Sequence, residues 1–201
     1  MPTANPKRRS RGERSGSAPD ERRAVSERKS GIAPVIPPDA RLLILGSLPG
    51  DASLAAERYY AHPRNLFWRL LGGVLGCDLG AQDYHARLAV LARARIGLWD
   101  VIASAQRPGS LDTALRAVEA NPLAEFVDAL PNLRAVAFNG ASSAKIGRRA
   151  LCGHTHLALI DLPSSSPAHA AMPVAAKAAC WVALAPYLRP ETPLAACPPE
   201  R

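Results

Sequence analysis

Aromatic residues are scarce in this chain, at 5% of 201 residues, and cysteines number four. No apolar run approaches the roughly 18 residues that cross a bilayer as a helix, so no membrane partner is expected. Cys77, Cys152, Cys180 and Cys197 show no C-x-x-C spacing. They read as buried or idle thiols of a reducing compartment, with no metal and no cofactor. The opening MPTANPKRRSRGERSGS has charges without an apolar stretch behind them, which is not a secretory pattern. Glu13, Asp20, Glu21 and Glu27 interrupt its Arg- and Ser-rich composition and argue against a transit peptide. These absences point to a soluble, cytoplasmic protein.

Charge is present in excess but unevenly placed. The formal net charge is +8, and residues 1–31 hold nine Lys/Arg against four Asp/Glu, so the arm carries +5 and the remainder +3. A basic tail on a nearly balanced domain suits an electrostatic arm for a polyanion; a solvated leader is the alternative. Residues 1–38, ending in IAPVIPP, are expected to be a disordered arm and Pro-rich linker. One domain over 39–189 follows, with a Pro-rich tail over 190–201.

Within that domain, four apolar runs have strand length: 42–46, 96–102, 133–138 and 157–162. Helical spacing occupies 65–75, 84–94, 122–130, 142–151 and 168–188. Nearly all-apolar strands alternating with helices predict an α/β fold, a three-layer α/β/α sandwich around a mostly parallel four-stranded sheet. Ligands of such sheets bind at the carboxyl ends of the strands. GSLPG, FNG and LPSSSP all fall there.

The few aromatics are concentrated. Four of the ten lie in YYAHPRNLFW (59–68), beside a histidine, an arginine and an asparagine. That is a dense set of base-stacking and phosphate-binding groups. RLLILGSLPG (41–50) runs an apolar strand into Gly46, Ser47, Pro49 and Gly50, where backbone can approach a ligand closely. From the residues alone, Asn65 either orients a water or caps the helix that follows it. Asn139 of FNG either reads a base edge with its donor and acceptor or is a left-handed turn residue before Gly140. Arg107 and Asp112, in AQRPGSLD, either line the floor of a site or pin a loop.

Together with IGLWDVIASAQRPGSLDTAL (96–115), AVAFNG (135–140) and LPSSSPAHA (162–170), these stretches closely resemble the DNA-deoxyinosine (hypoxanthine-DNA) glycosylases, a branch of the uracil-DNA glycosylase superfamily. The resemblance runs from about residue 41 to 187. It implies base flipping and attack of water on an oxocarbenium-like sugar. It assigns catalysis to Asn65, the asparagine of H-P-R-N-x-F-W. It implies base binding by Gly46, Ser47, Gly50, Tyr60, Phe67 and Asn139, with Phe67 stacked on the base and Tyr60 closing the other wall. Trp68 belongs to the core. DNA contacts fall to His62, Arg64, Lys145, Ser164, Ser165, Ser166 and His169, the serines binding phosphate near a helix amino terminus where the dipole helps.

Two departures from the uracil-specific branches follow. Ser47 stands where mismatch-specific uracil enzymes have asparagine, and Leu162 where uracil enzymes begin the loop with histidine. Both favour hypoxanthine, a purine that can leave by protonation at N7 or N3. No lysine lies in the pocket motifs, so a monofunctional enzyme without lyase activity is implied. Some relatives hold an iron–sulfur cluster, but the scattered cysteines give no sign of one. The implied partner is double- or single-stranded DNA carrying a deaminated base, bound by a monomer associated with the nucleoid. A mismatch-dependent uracil-DNA glycosylase and a catalytically silent binder of damaged DNA are the alternative readings.

Overall fold

The structure is a computed structural model that describes residues 28–188. In chain order its elements are β1 (Arg28–Ser30), β2 (Leu42–Gly46), α1 (Asp51–Ala56), α2 (Phe67–Leu75), α3 (Tyr84–Arg93), β3 (Ile96–Asp100), β4 (Ile102–Gln106), β5 (Arg116–Ala120), α4 (Leu123–Asp128), β6 (Ala135–Asn139), α5 (Ala141–Ala150), β7 (Ala158–Leu162), α6 (Val174–Trp181) and α7 (Ala185–Leu188).

The order β3-β2-β6-β7 forms a parallel four-stranded sheet. Successive side chains of β2 go to opposite faces, as the two-residue period of a strand requires. Leu42 and Ile44 join Phe67, Leu71, Leu91 and Trp181 on one side. Leu43 and Leu45 join Leu123, Val127, Phe138 and Ala144 on the other. Helices α2, α3 and α6 cover the first face and α4 and α5 the second, which yields the expected three layers. Each fully buried leucine of β2 stabilises this packing by about 1.5–3 kcal/mol.

A second sheet, β1-β4-β5, is antiparallel and was not expected. It divides the run 96–102: the N–H groups of Val101 and Ile102 donate to the carbonyls of Gly46 and Ser47 at 2.9 and 3.0 Å, turning the chain out of the parallel sheet. Described structure also begins before the expected start near Ala40. Arg28–Ser30 pairs with Ser104–Gln106, and Val35 bridges Leu98. Of the arm and linker expected over 1–38, residues 1–27 lie outside the described residues, as does the tail expected over 190–201.

The closing helix starts at Val174 and not at Ala168. Pro173 sets that boundary, because proline disfavours helical backbone in the residue before it and is tolerated only at a helix start. His169 and the three serines therefore lie in an irregular loop, not at a helix amino terminus.

Candidate base-excision site at the carboxyl edge of the sheet

The strand ends of β2, β3 and β6 place Gly46, Asp100 and Asn139 along one edge. Gly46 is opposite Asp100 in register, and a Cβ built on Gly46 would meet the Asp100 Oδ1 at 2.5 Å. Only a glycine fits there. Asp100 is 3% exposed, and its Oδ2 has no hydrogen-bond partner among the described residues. Burial raises its carboxyl to about 7, against the pull of the Tyr59 hydroxyl and Arg107, and Asp112 pushes the same way as burial. A buried carboxyl with an unpartnered oxygen at the carboxyl edge of the sheet is a candidate that motif reading missed. The signal was available as a lone acid inside the apolar run IGLWDVIA.

Arg107 is 1% exposed, and its guanidinium donates to the carbonyl oxygens of Leu48 (2.9 Å) and Pro49. The Ser47 hydroxyl donates to Asp112 Oδ1 at 2.8 Å, and that carboxylate lies 3.9 Å from Arg107. The Asp51 N–H donates to the Ser110 hydroxyl at 2.9 Å, and Lys29 pairs with Asp51 and with the Gly109 carbonyl. The segment 107–112 thus fixes the GSLPG loop from below, so the loop-pinning reading of Arg107 and Asp112 is the one the geometry supports. Gly50 lies at this rim, where a Cβ would touch Ser110.

Asn65 precedes α2, and its Oδ1 accepts the Phe67 N–H at 2.9 Å. It therefore does cap the first turn, and a carbonyl oxygen retains a second lone pair for a water. The next residue, Leu66, donates its N–H to the Ser165 carbonyl at 3.0 Å, tying this motif to the serine loop. Arg64 is exposed, while His62 is half-buried with its Nδ1 accepting the Arg64 N–H.

Ser165 is fully buried and is a hub of the serine loop. Its N–H donates to Asn139 Oδ1 and its hydroxyl accepts from Asn139 Nδ2, both at 2.8 Å. The same pair of bonds occupies both ends of the Asn139 amide, so in this structure Asn139 binds the loop and not a ligand. Gly140, at φ +110°, lets the loop approach so closely that a Cβ would meet Ser164 at 3.1 Å. Ser164 and Ser166 are half-buried and accept local N–H groups, from Ser166 and Ala168. His169 is exposed. Lys145 is exposed on α5, about one turn from its start.

Lys177 is a second residue that motif reading missed. It is 2% exposed, and its ammonium donates to the carbonyls of Ser164 and His169, both at 2.7 Å. Desolvation lowers its pKa. Trp181 Nε1 adds a bond to the Pro163 carbonyl at 3.2 Å.

The two expected walls of the base slot are in contact with each other. The Tyr60 and Phe67 rings stack at 3.6 Å between centroids and 7° between planes. A base slotted between them needs about 7 Å, two van der Waals separations. The two-walled sandwich is therefore absent here, and Phe67 is fully buried beneath Tyr60. Trp68 is in the core as expected, with Arg87 over its ring at 5.1 Å. Among the described residues, no cluster of three or more His, Cys, Asp or Glu side chains could hold a metal ion. No described helix is long and apolar enough to cross a membrane.

The profile of the Uracil DNA glycosylase superfamily matches residues 33–188. The chain is similar to the Hypoxanthine DNA glycosylase of Methanosarcina barkeri, 47% identical over 116 residues, which span 58% of this chain and 73% of that protein. It is also similar to the Hypoxanthine DNA glycosylase of Methanosarcina acetivorans, 40% identical over 112 residues, 56% of this chain and 71% of that one. Among solved structures it matches the NMR structure of a candidate Uracil DNA glycosylase from M. acetivorans, with a TM-score of 0.71 and 34% identity, over 81% of this chain and 99% of the other. A parallel sheet with GSLPG, the H-P-R-N-x-F-W segment and the serine loop gathered at its carboxyl edge, together with these matches, establishes that the chain belongs to the uracil DNA glycosylase superfamily, beside its hypoxanthine DNA glycosylases.

Proposed function

We propose that this protein is a monofunctional DNA glycosylase that hydrolyses the N-glycosidic bond of deoxyinosine in DNA, the opening step of base excision repair. The observation that carries the reading is one juxtaposition. Asn65 adjoins Phe67, on whose ring Tyr60 stacks, and the buried carboxyl of Asp100 stands at the end of β3 opposite Gly46.

The chemistry follows from those groups. Water held on the Asn65 amide oxygen adds to C1′ as the bond from C1′ to the purine nitrogen breaks, and the bonding pair leaves with the base. Asp100, protonated at or below about pH 7, gives its proton to the departing purine and recovers one from the attacking water. The products are free hypoxanthine and an abasic site. Lys177 is turned inward onto two carbonyls and cannot reach the abasic sugar, so no Schiff base forms. Ser47 spends its hydroxyl on Asp112, which leaves the water to Asn65 and counts against the mismatch-dependent uracil reading. Arg64, His62, Lys145, Ser164, Ser166 and His169 line the DNA side, and the protein acts as a monomer on duplex DNA at the nucleoid.

Single-turnover cleavage of duplexes carrying one deoxyinosine or one deoxyuridine tests this. Inosine is cleaved first, and Asn65→Ala loses roughly a hundredfold or more in rate while keeping its DNA affinity. The variant also gives up about 1 kcal/mol of cap stability, so its folding is checked by denaturation. Preferred cleavage of uracil would move the protein to the uracil branch. A silent binder would show no cleavage and no effect of the substitution.

A further inference from the structure

Among the described residues three large apolar side chains are exposed: Leu111, Val118 and Val182. A single apolar side chain in water is ordinary on a protein surface, so exposure alone assigns nothing. Position separates the three. Val118 lies in β5 and Val182 just after α6, whereas Leu111 lies in the 107–112 segment that holds the GSLPG loop.

The segment also fixes which way Leu111 faces. Its backbone is extended, at φ −85° and ψ 131°. The side chains on either side of an extended residue point the opposite way from its own. Both neighbours are turned onto the GSLPG loop: the Ser110 hydroxyl accepts the Asp51 N–H at 2.9 Å, and Asp112 accepts the Ser47 hydroxyl at 2.8 Å. Leu111 is left facing outward between them, 55% exposed. Its backbone is held as well. Its carbonyl accepts the Ala114 N–H at 3.0 Å, and two residues earlier the Gly109 carbonyl, at φ +66°, accepts the Lys29 ammonium at 2.9 Å. A leucine on an unpinned loop could fold back onto the core, but these ties keep this one in water. The other segments gathered at this edge present no such side chain. H-P-R-N exposes Pro63 and Arg64, and the serine loop exposes Ala168, His169, Ala170 and Ala171.

Taking a nucleotide out of a duplex uncovers the faces of the neighbouring bases and the sugar of the target, apolar surface that was shielded in the stack. We propose that Leu111 is an apolar DNA contact of this site, packing on the base and sugar surface that extrusion of the target nucleotide uncovers. The proposal rests on the glycosylase reading above and deepens it by naming a residue that favours the extruded complex over the stacked duplex. The contact forms only when that surface is uncovered, so it adds nothing to the binding of undamaged DNA. Being uncharged, it displaces no counterions and adds affinity without adding salt dependence.

The test titrates the full chain with two duplexes of one sequence, one carrying a single 2′-fluoro-arabino-inosine, which resists cleavage, and the other undamaged. Leu111→Ala binds the inosine duplex on the order of tenfold more weakly than the natural protein, the scale of covering one leucine side chain. It binds the undamaged duplex as well as before. Leu111→Met, which keeps an apolar side chain of similar volume, retains the natural affinity. Neither variant shifts the urea midpoint, because the side chain is in water in the free protein, and neither alters the slope of affinity against salt. Arg64→Ala, by contrast, weakens both duplexes and lowers that slope by about 0.9. Unchanged binding of the inosine duplex by Leu111→Ala overturns the proposal. So does an equal loss on both duplexes, which marks an ordinary groove contact, and so does a loss shared by Leu111→Met. A lowered urea midpoint in Leu111→Ala overturns it as well, by showing a structural role. Any of these results alongside inosine cleavage by the natural protein removes the Leu111 contact alone. No cleavage of any deaminated duplex overturns the glycosylase reading and this one together.

Discussion

The two loops that bound the pocket are held by the same device with different electrostatics. Arg107 reaches up to two carbonyls of the GSLPG loop, and Lys177 reaches up to two carbonyls of the serine loop. Both cations are buried. Arg107 has a carboxylate answer, Asp112 at 3.9 Å, and Asp100 also feels its charge. The Lys177 ammonium has carbonyl dipoles and, among the described residues, no carboxylate partner. A guanidinium is charged at any accessible pH, so the first clamp is permanent, whereas a desolvated lysine can lose its proton. The comparison separates a loop held by a permanent charge from one held by a charge that can be lost.

Arg107→Met breaks the comparison hardest. It strands two loop carbonyls and leaves Asp112 without its cation, and a loss of about 3 kcal/mol in urea unfolding is expected. Lys177→Met costs less, about 1–2 kcal/mol by the same measurement, because removing the charge also relieves its desolvation. Equal losses would show that the carboxylate partner is irrelevant. The smallest effect is the sharpest. Asp100 is pushed up partly by Asp112, so Asp112→Asn lowers the Asp100 pKa and Lys177→Met leaves it unchanged. With Asp100 as proton donor, the single-turnover rate falls above about pH 7, and in Asp112→Asn that fall begins at lower pH.

Stability reports the same carboxyl independently. From an ordinary value of 3.8, Asp100 rises to about 7 on folding, so the folded state holds an extra proton between those limits. Its contribution is fully present below the unfolded value and is lost as pH rises through about 7. Asp100→Asn removes that decline, which unfolding midpoints across this pH range would detect.

The parallel sheet was legible because strands buried on both faces spell nearly continuous apolar runs, as LLILG and AVAF do. The second sheet was not, for the opposite reason. β5 reads RAVEA and is exposed throughout, and β1 is RKS, so neither has a pattern that differs from a loop. The late start of α6 was concealed by the helix-favouring alanines before Pro173. The motifs named Asn65, Phe67 and the serine loop, and the fold brings these segments together through the Leu66 N–H on the Ser165 carbonyl. Local sequence does not tell how an amide is spent: Asn139 and Ser165 bond each other across 26 residues. Asp100, Arg107 and Lys177 act through burial, a property of the folded chain that no local pattern encodes.

The buried clamps also change what the enzyme's charge means. Of the 25 basic residues, two that matter most to pocket shape face inward onto carbonyls and so displace no counterions from DNA. They draw the acceptor oxygens of both rims away from the polyanion. The fall of DNA affinity with added salt is therefore expected to follow outward cations, among them the exposed Arg64 and Lys145, so that substitutions of the clamps and of these cations separate shape from salt sensitivity.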